Sequence, residues 1–156
     1  MRHPYLHHLL LPAMVLWMSA IGVKAQEVHK LSPASLAGLT RTTARVEVHG
    51  TKEQTQYEGV SLGDLARKLG APAGEAIRGA KLSIVVVVKA ADGYQAVFAL
   101  PELDPLFSKK VVLLADRRDG GPLSDKEGPY RLVVPDEARQ ARWVRQVISI
   151  ELRALP

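Results

Sequence analysis

The run "KLSIVVVVKAADGYQAVFAL", residues 81 to 100, constrains the fold more than any other part of the chain. From Leu82 to Val88 it is apolar on both faces of an extended backbone except at Ser83, the pattern of a central strand covered on each side. Asp92-Gly93 is a favoured tight-turn pair, so Tyr94 to Leu100 is expected to return antiparallel as the hairpin partner. The chain is thus organised around a buried hairpin.

Other segments supply neighbours for it. "ARVEVHG" alternates, with Val46 and Val48 on one side and Arg45, Glu47 and His49 on the other, which predicts a half-buried strand. "QTQYEGV" pairs with it and ends at "SLGDLARKLGAP", where Ser61 caps a helix with Asp64 three residues on. Leu62, Leu65 and Leu69 form the apolar stripe of that helix, and Gly70 followed by Pro72 stops it. Pro101 suits a first helical turn in "PELDPLF". Val111 to Ala115 and Tyr130 to Val134 read as strands flanking a charged loop, the second ended by Pro135. Ile148, Ile150 and Leu152 alternate with Ser149, Glu151 and Arg153 in a last strand. About six strands and two or three short helices, without βαβ alternation or a repeat of fixed period, predict an α+β fold with a mixed, mainly antiparallel sheet. No glycine-rich phosphate loop follows a strand, which disfavours the usual nucleotide enzymes.

The length, 156 residues, suits one domain. The first 25 residues stand apart: Arg2 is a positive start, Leu9 to Val23 is uncharged and apolar, and Val23-Lys24-Ala25 resembles a small-residue cleavage site. They read as a secretory signal peptide, since fifteen residues interrupted by Pro12 fall short of the roughly 20 that span a bilayer. The expected organisation is a signal peptide over 1–25, a flexible segment over 26–43 and a domain over 44–156, periplasmic or secreted after cleavage near Ala25. Removing Arg2 and Lys24 from the 21 basic residues leaves 19 against 16 acids, a mildly basic chain. Because Arg is concentrated after residue 117 while the acids are spread, an anionic ligand suits the charge better than a nucleic-acid track, and a membrane is met only during export. There is no cysteine, which removes disulfides and every thiolate ligand or nucleophile.

The order "KAADGYQAVFALPEL", "VVLLADRRDGGPLSDKEGPYRLVVP", "ARQARWVRQVISIEL" resembles the molybdopterin-binding domain of the sulfite oxidase family, in its compact single-domain exported form, over Val46 to Leu152. The resemblance implies molybdopterin as the cofactor. It places Arg139, Arg142 and Trp143, in the basic segment after Val-Pro, near the cofactor's phosphate, with Tyr94 as a further wall of the pocket. Guanidinium is permanently charged and grips phosphate oxygens in a bidentate way. Backbone N–H groups near Gly120 and Gly121 are a further candidate for the anion. Catalytic relatives bind molybdenum through a cysteine sulfur, which this chain lacks, so no catalytic residue and no metal ligand is expected. The preferred reading is a binding module for an anionic pterin-type ligand or a redox partner protein. Left open are a molybdenum-cofactor-dependent oxidoreductase whose metal is held only through the pterin, and an interaction protein that kept the fold and lost the pocket.

Simpler roles compete at several positions. Asp92 and Gly93 serve a turn, and Glu102 and Asp104, two apart beside prolines, read as a cap and a turn residue rather than an acid–base pair. Asp116, Asp119, Asp125 and Glu127 lack the spacing of a calcium loop, and His29 and His49 make a poor zinc site. No serine occupies a nucleophile elbow.

Overall fold

A computed structural model of the chain describes residues 27–47 and 53–156. The segment read as a signal peptide, together with Val48 and His49, lies outside the described residues. Among the described residues, nine strands and two short helices follow in chain order: β1 (Glu27–Lys30), α1 (Pro33–Leu36), β2 (Arg41–Glu47), β3 (Gln54–Ser61), α2 (Leu62–Lys68), β4 (Ile84–Ala90), β5 (Gln95–Ala99), β6 (Leu113–Arg118), β7 (Gly121–Pro122), β8 (Arg131–Val133) and β9 (Val147–Ala154). They form two sheets, one in the order β1-β9-β4-β5 and one in the order β2-β3-β6-β7 with β8 also on β6. Every pairing among the described residues is antiparallel, so the architecture is the expected α+β with antiparallel sheets.

The buried hairpin is where the sequence puts it. Val85↔Ala99 through Lys89↔Gln95 set the register of β4 on β5, and the Asp92-Gly93 turn closes with Gly93 at φ 88°. β4 also pairs with β9, so it is a central strand, and Val86 and Val88 are fully buried. One apolar core joins both sheets, drawing Phe98 from β5, Ile150 from β9, Val60 from β3, Leu114 from β6 and Leu132 from β8. Helix α2 closes it with Leu62, Leu65 and Ala66, its first turn capped by the Ser61 hydroxyl, which accepts from the Asp64 N–H. Two glycines are required by close approach. A Cβ on Gly59 would lie 2.0 Å from the Leu114 carbonyl oxygen, and one on Gly63 would lie 2.2 Å from that of Leu103. Gly59 sits where the β3–β6 register shifts, a bulge that draws the two backbones together.

Three expectations need correction. The segment 26–43, expected to be flexible, carries β1, paired from Glu27↔Leu152 to Lys30↔Ser149, and Leu36, which is buried. The free edge of β9 has backbone groups that require partners, and β1 satisfies them. Leu82 lies outside the central strand and is exposed, because Gly79–Ser83 form a 3-10 turn. The Ser83 hydroxyl holds that turn by donating to the carbonyls of Ala80 (2.9 Å) and Leu155 (3.1 Å). The strand count rises beyond six chiefly through β1 and the two-residue β7, elements too short to leave a periodic pattern.

Candidate functional site

At the end of the molecule where β4 turns into β5, a cleft of about 950 Å³ opens between that turn, the loop from Ser124 to Glu127 and the stretch Gln140–Gln146. A volume of this size suits a small-molecule site. Backbone ties between the two sheets shape it. The Gln146 N–H donates to the Glu127 carbonyl (2.8 Å), the Ala91 N–H to the Gln146 carbonyl (3.0 Å) and the Val147 N–H to the Tyr130 carbonyl (2.9 Å). Gln146 holds this junction in the left-handed region, φ 48°, with its side-chain amide donating to the Asp125 carbonyl (2.9 Å). A non-glycine residue costs about 1–3 kcal/mol there, so the surrounding bonds over-determine it.

Two aromatic residues wall the cleft. Tyr94, half-exposed, donates through its hydroxyl to the Ala141 carbonyl (2.6 Å), and Asp92 supports the turn beneath by accepting from the Tyr94 N–H (2.9 Å). Trp143 is buried, donates through Nε1 to the Val134 carbonyl (3.0 Å) and meets Tyr57 edge to face at 6.3 Å.

Four cations line the same space: Arg118, Lys126, Arg131 and Arg145. Arg131 is the most enclosed, its guanidinium 5.4 Å from the Tyr57 ring centre and 5.6 Å from that of Trp143. Burial pushes its pKa below the ordinary range, as do the neighbouring cations Arg118 and Arg145. Guanidinium titrates so far above neutrality that it stays charged. Its Nη1 donates to the Glu127 carboxylate, while Nε is buried with no hydrogen-bond acceptor. Lys126 and Arg145 are exposed, and neither is in an ion pair among the described residues.

The structure separates the residues that the sequence grouped. Tyr94 and Trp143 share the cleft. Arg142 instead donates through Nε to Glu137 (2.7 Å) and through Nη1 to Glu102 (3.1 Å) and the Val97 carbonyl (3.2 Å), with its guanidinium 4.3 Å from the Phe98 ring centre. Arg139 is exposed, one residue before the cleft-lining Gln140, and in no ion pair among the described residues. Gly120 and Gly121 form the β6–β7 hairpin and do not line the cleft. Glu102 and Asp104 accept from backbone N–H groups, of Ala99 for the first and of Gly74 and Leu106 for the second, as a cap and a turn residue do. Arg118, Arg131 and Glu127 are the residues that sequence reasoning missed. Arg131 lies in the quoted "PYRLVVP" as the one charge in an apolar strand, which was the available signal.

The family model of the oxidoreductase molybdopterin-binding domain matches residues 21–154. The chain belongs to that family. No curated protein matches it. For a molybdopterin-binding domain, the donor set of the cleft fits the cofactor class: aromatic residues border a space that a flat ring can enter, and cations at the rim suit an anionic group. The chain offers no cysteine, and among the described residues no group of three or more His, Asp or Glu is placed to hold a metal. No helix among the described residues is long and apolar enough to cross a membrane.

Proposed function

We propose that this protein is an exported binding module for an anionic pterin-type ligand, held in the cleft between the Asp92-Gly93 turn and the Gln140–Gln146 stretch, without a cysteine-ligated molybdenum centre. The observation that carries the reading is the lining of this cleft, which brings Tyr94 and Trp143 together with the cations Arg118, Lys126, Arg131 and Arg145 around one space. Molybdopterin, when bound, supplies dithiolene sulfurs able to hold molybdenum. The chain's own residues bind and orient: Tyr94 and Trp143 take the flat ring, and Lys126 and Arg145 attract the anionic group, with Arg139 a further free cation nearby. The apolar segment before Ala25 supports export to the periplasm or beyond, where a redox partner protein is the natural second party.

The deciding experiment purifies the protein from its native exported form, measures molybdenum by elemental analysis and detects released pterin by fluorescence. Pterin without metal is expected. Molybdenum near one per chain refutes the binding-only reading in favour of an oxidoreductase whose metal is held through the pterin alone. Neither pterin nor metal leaves an interaction protein that lost its ligand.

A further inference from the structure

The reading of the cleft as a ligand site underlies a second step, which concerns what its floor selects. Arg118 and Arg131 share one carboxylate, that of Glu127, which is only 8% exposed. Both of its oxygens are engaged. Oε1 accepts from Arg131 Nη1, from Arg118 Nη1 (3.5 Å) and from the Tyr57 hydroxyl (3.4 Å), while Oε2 accepts from Arg118 Nη1 (3.4 Å) and the Ser124 hydroxyl (3.3 Å). The backbone of Glu127 is pinned as well, its N–H donating to the Ser124 carbonyl (2.9 Å) and its carbonyl accepting from Gln146 (2.8 Å). This carboxylate is therefore a fixed part of the cleft floor, and it neutralises the arginines that a phosphate would otherwise use.

A phosphate entering here meets a negative charge already in place, and like charges in a partly desolvated site repel strongly. An uncharged hydrogen-bonding group meets no such obstacle. Lys126 and Arg145, exposed and in no ion pair among the described residues, remain open to an anion at the rim.

We infer that Glu127 is the specificity-determining residue of the cleft: it occupies, from within the protein, the place between Arg118 and Arg131 where a ligand phosphate would bind. The floor consequently accepts an uncharged hydrogen-bonding group, and the ligand's anionic group is left to Lys126 and Arg145.

The test titrates inorganic phosphate into the full chain and its Glu127→Gln variant at fixed ionic strength, followed by calorimetry and by amide chemical shifts. The glutamine keeps the shape and one acceptor but removes the charge. Phosphate affinity should rise on the order of tenfold or more in the variant, since charge-assisted contacts are about twice as strong as neutral ones and Arg131 loses its carboxylate, while Arg118 keeps Asp119 (3.5 Å). Adding Arg131→Gln should cancel the gain. A rise below about twofold, or a gain that survives Arg131→Gln, overturns the inference, because a tenfold change corresponds to only about 1.4 kcal/mol. Should Glu127→Gln fail to fold, Glu127→Ala carries the test: it removes the charge and vacates the space, so phosphate affinity should rise at least as much, and unchanged affinity overturns the inference. An uncharged hydroxymethylpterin is the separate probe of the cleft itself. If it binds neither parent nor variant, the pterin reading fails, while the phosphate titration still decides the role of Glu127.

Discussion

Replacing Arg142 with Met should destabilise the protein and leave anion binding untouched. The methionine keeps an apolar stem over Phe98 but loses the guanidinium, which is 4.3 Å from the ring centre, bonded to Glu137 and Glu102, and donating to the Val97 carbonyl. The side chain is 31% exposed and its carboxylate partners are 25% and 15% exposed, so solvent screens each pair and about 1 kcal/mol apiece is the fitting scale. The cation–π contact adds about 0.5–1 kcal/mol and the bond to the Val97 carbonyl about 1 kcal/mol. Lys110, 3.1 Å from Glu102 and 3.9 Å from Glu137, continues to neutralise both acids, which limits the penalty for orphaning them. The expected loss is about 3 kcal/mol, a fall in Tm of roughly 10 °C for a domain of this size. Urea unfolding at neutral pH followed by tryptophan fluorescence measures the first, and a phosphate titration of the folded variant measures the second. Phosphate affinity reduced about tenfold at unchanged stability would refute the structural assignment and return Arg142 to the ligand, since that pattern is what lost charge-assisted ligand contacts produce.

Gly59→Ala should be among the most damaging single changes, by about 3 kcal/mol or more in urea unfolding, because its Cβ would overlap the Leu114 carbonyl oxygen, a backbone atom that has no rotamer to escape by. Gly63→Ala should behave alike through Leu103, whereas Gly70→Ala, with nothing near its Cβ but φ at +96°, should show only the milder cost of backbone strain, about 1 kcal/mol. Acid should unmask two carboxylates. Burial raises the pKa of Glu102, but hydrogen bonds from Lys110 and Arg142 outweigh it and the net direction is down; the bond from Lys89 chiefly lowers that of Glu151. A folded-state value below the unfolded one gives stability that is full above the ordinary 4.5 and is lost as pH falls through the depressed values, so a Glu102→Gln, Glu151→Gln double variant should show a flatter decline of stability below that pH. Trp143→Phe should cost about 1–3 kcal/mol by removing the indole bond to the Val134 carbonyl, which keeps only the Glu137 N–H (3.2 Å), and by loosening the edge contact with Tyr57, checked by thermal melts followed by circular dichroism.

How much of this was legible in the sequence depends on what each feature rests upon. The β4–β5 hairpin rests on a local pattern, an apolar run followed by Asp-Gly, and it was readable to within two residues at its start. The helix α2 rests on a cap and a stripe only a few residues apart and was equally readable. The strand β1 was not, because its stability comes from the free edge of β9, more than a hundred residues away, and four residues carry no period of their own. The resemblance names Trp143 and Tyr94, and both line the cleft, though Trp143 is also part of the apolar core, the commoner use of a tryptophan.

The arginines illustrate where such legibility ends. Arg139, Arg142 and Arg145 lie within seven positions and look alike in the sequence, yet their fates diverge on contact with carboxylates that are distant along the chain. Arg142 reaches Glu102, forty residues away in sequence, and becomes a tie between the loop after β8 and the turn after β5. Arg145 meets no such partner among the described residues and stays available in the cleft. Arg131, by contrast, is a lone charge in an apolar strand, and a charge in that position is the more informative one: burying it costs several kcal/mol unless something answers it. The answer is Glu127, four residues earlier, and the two aromatic rings that enclose the guanidinium. A cation already answered from within the protein cannot serve an anionic ligand in the same way as a free one. The number of arginines near a cleft is therefore a poor measure of its taste for phosphate, and the partner of each arginine is the quantity that decides it.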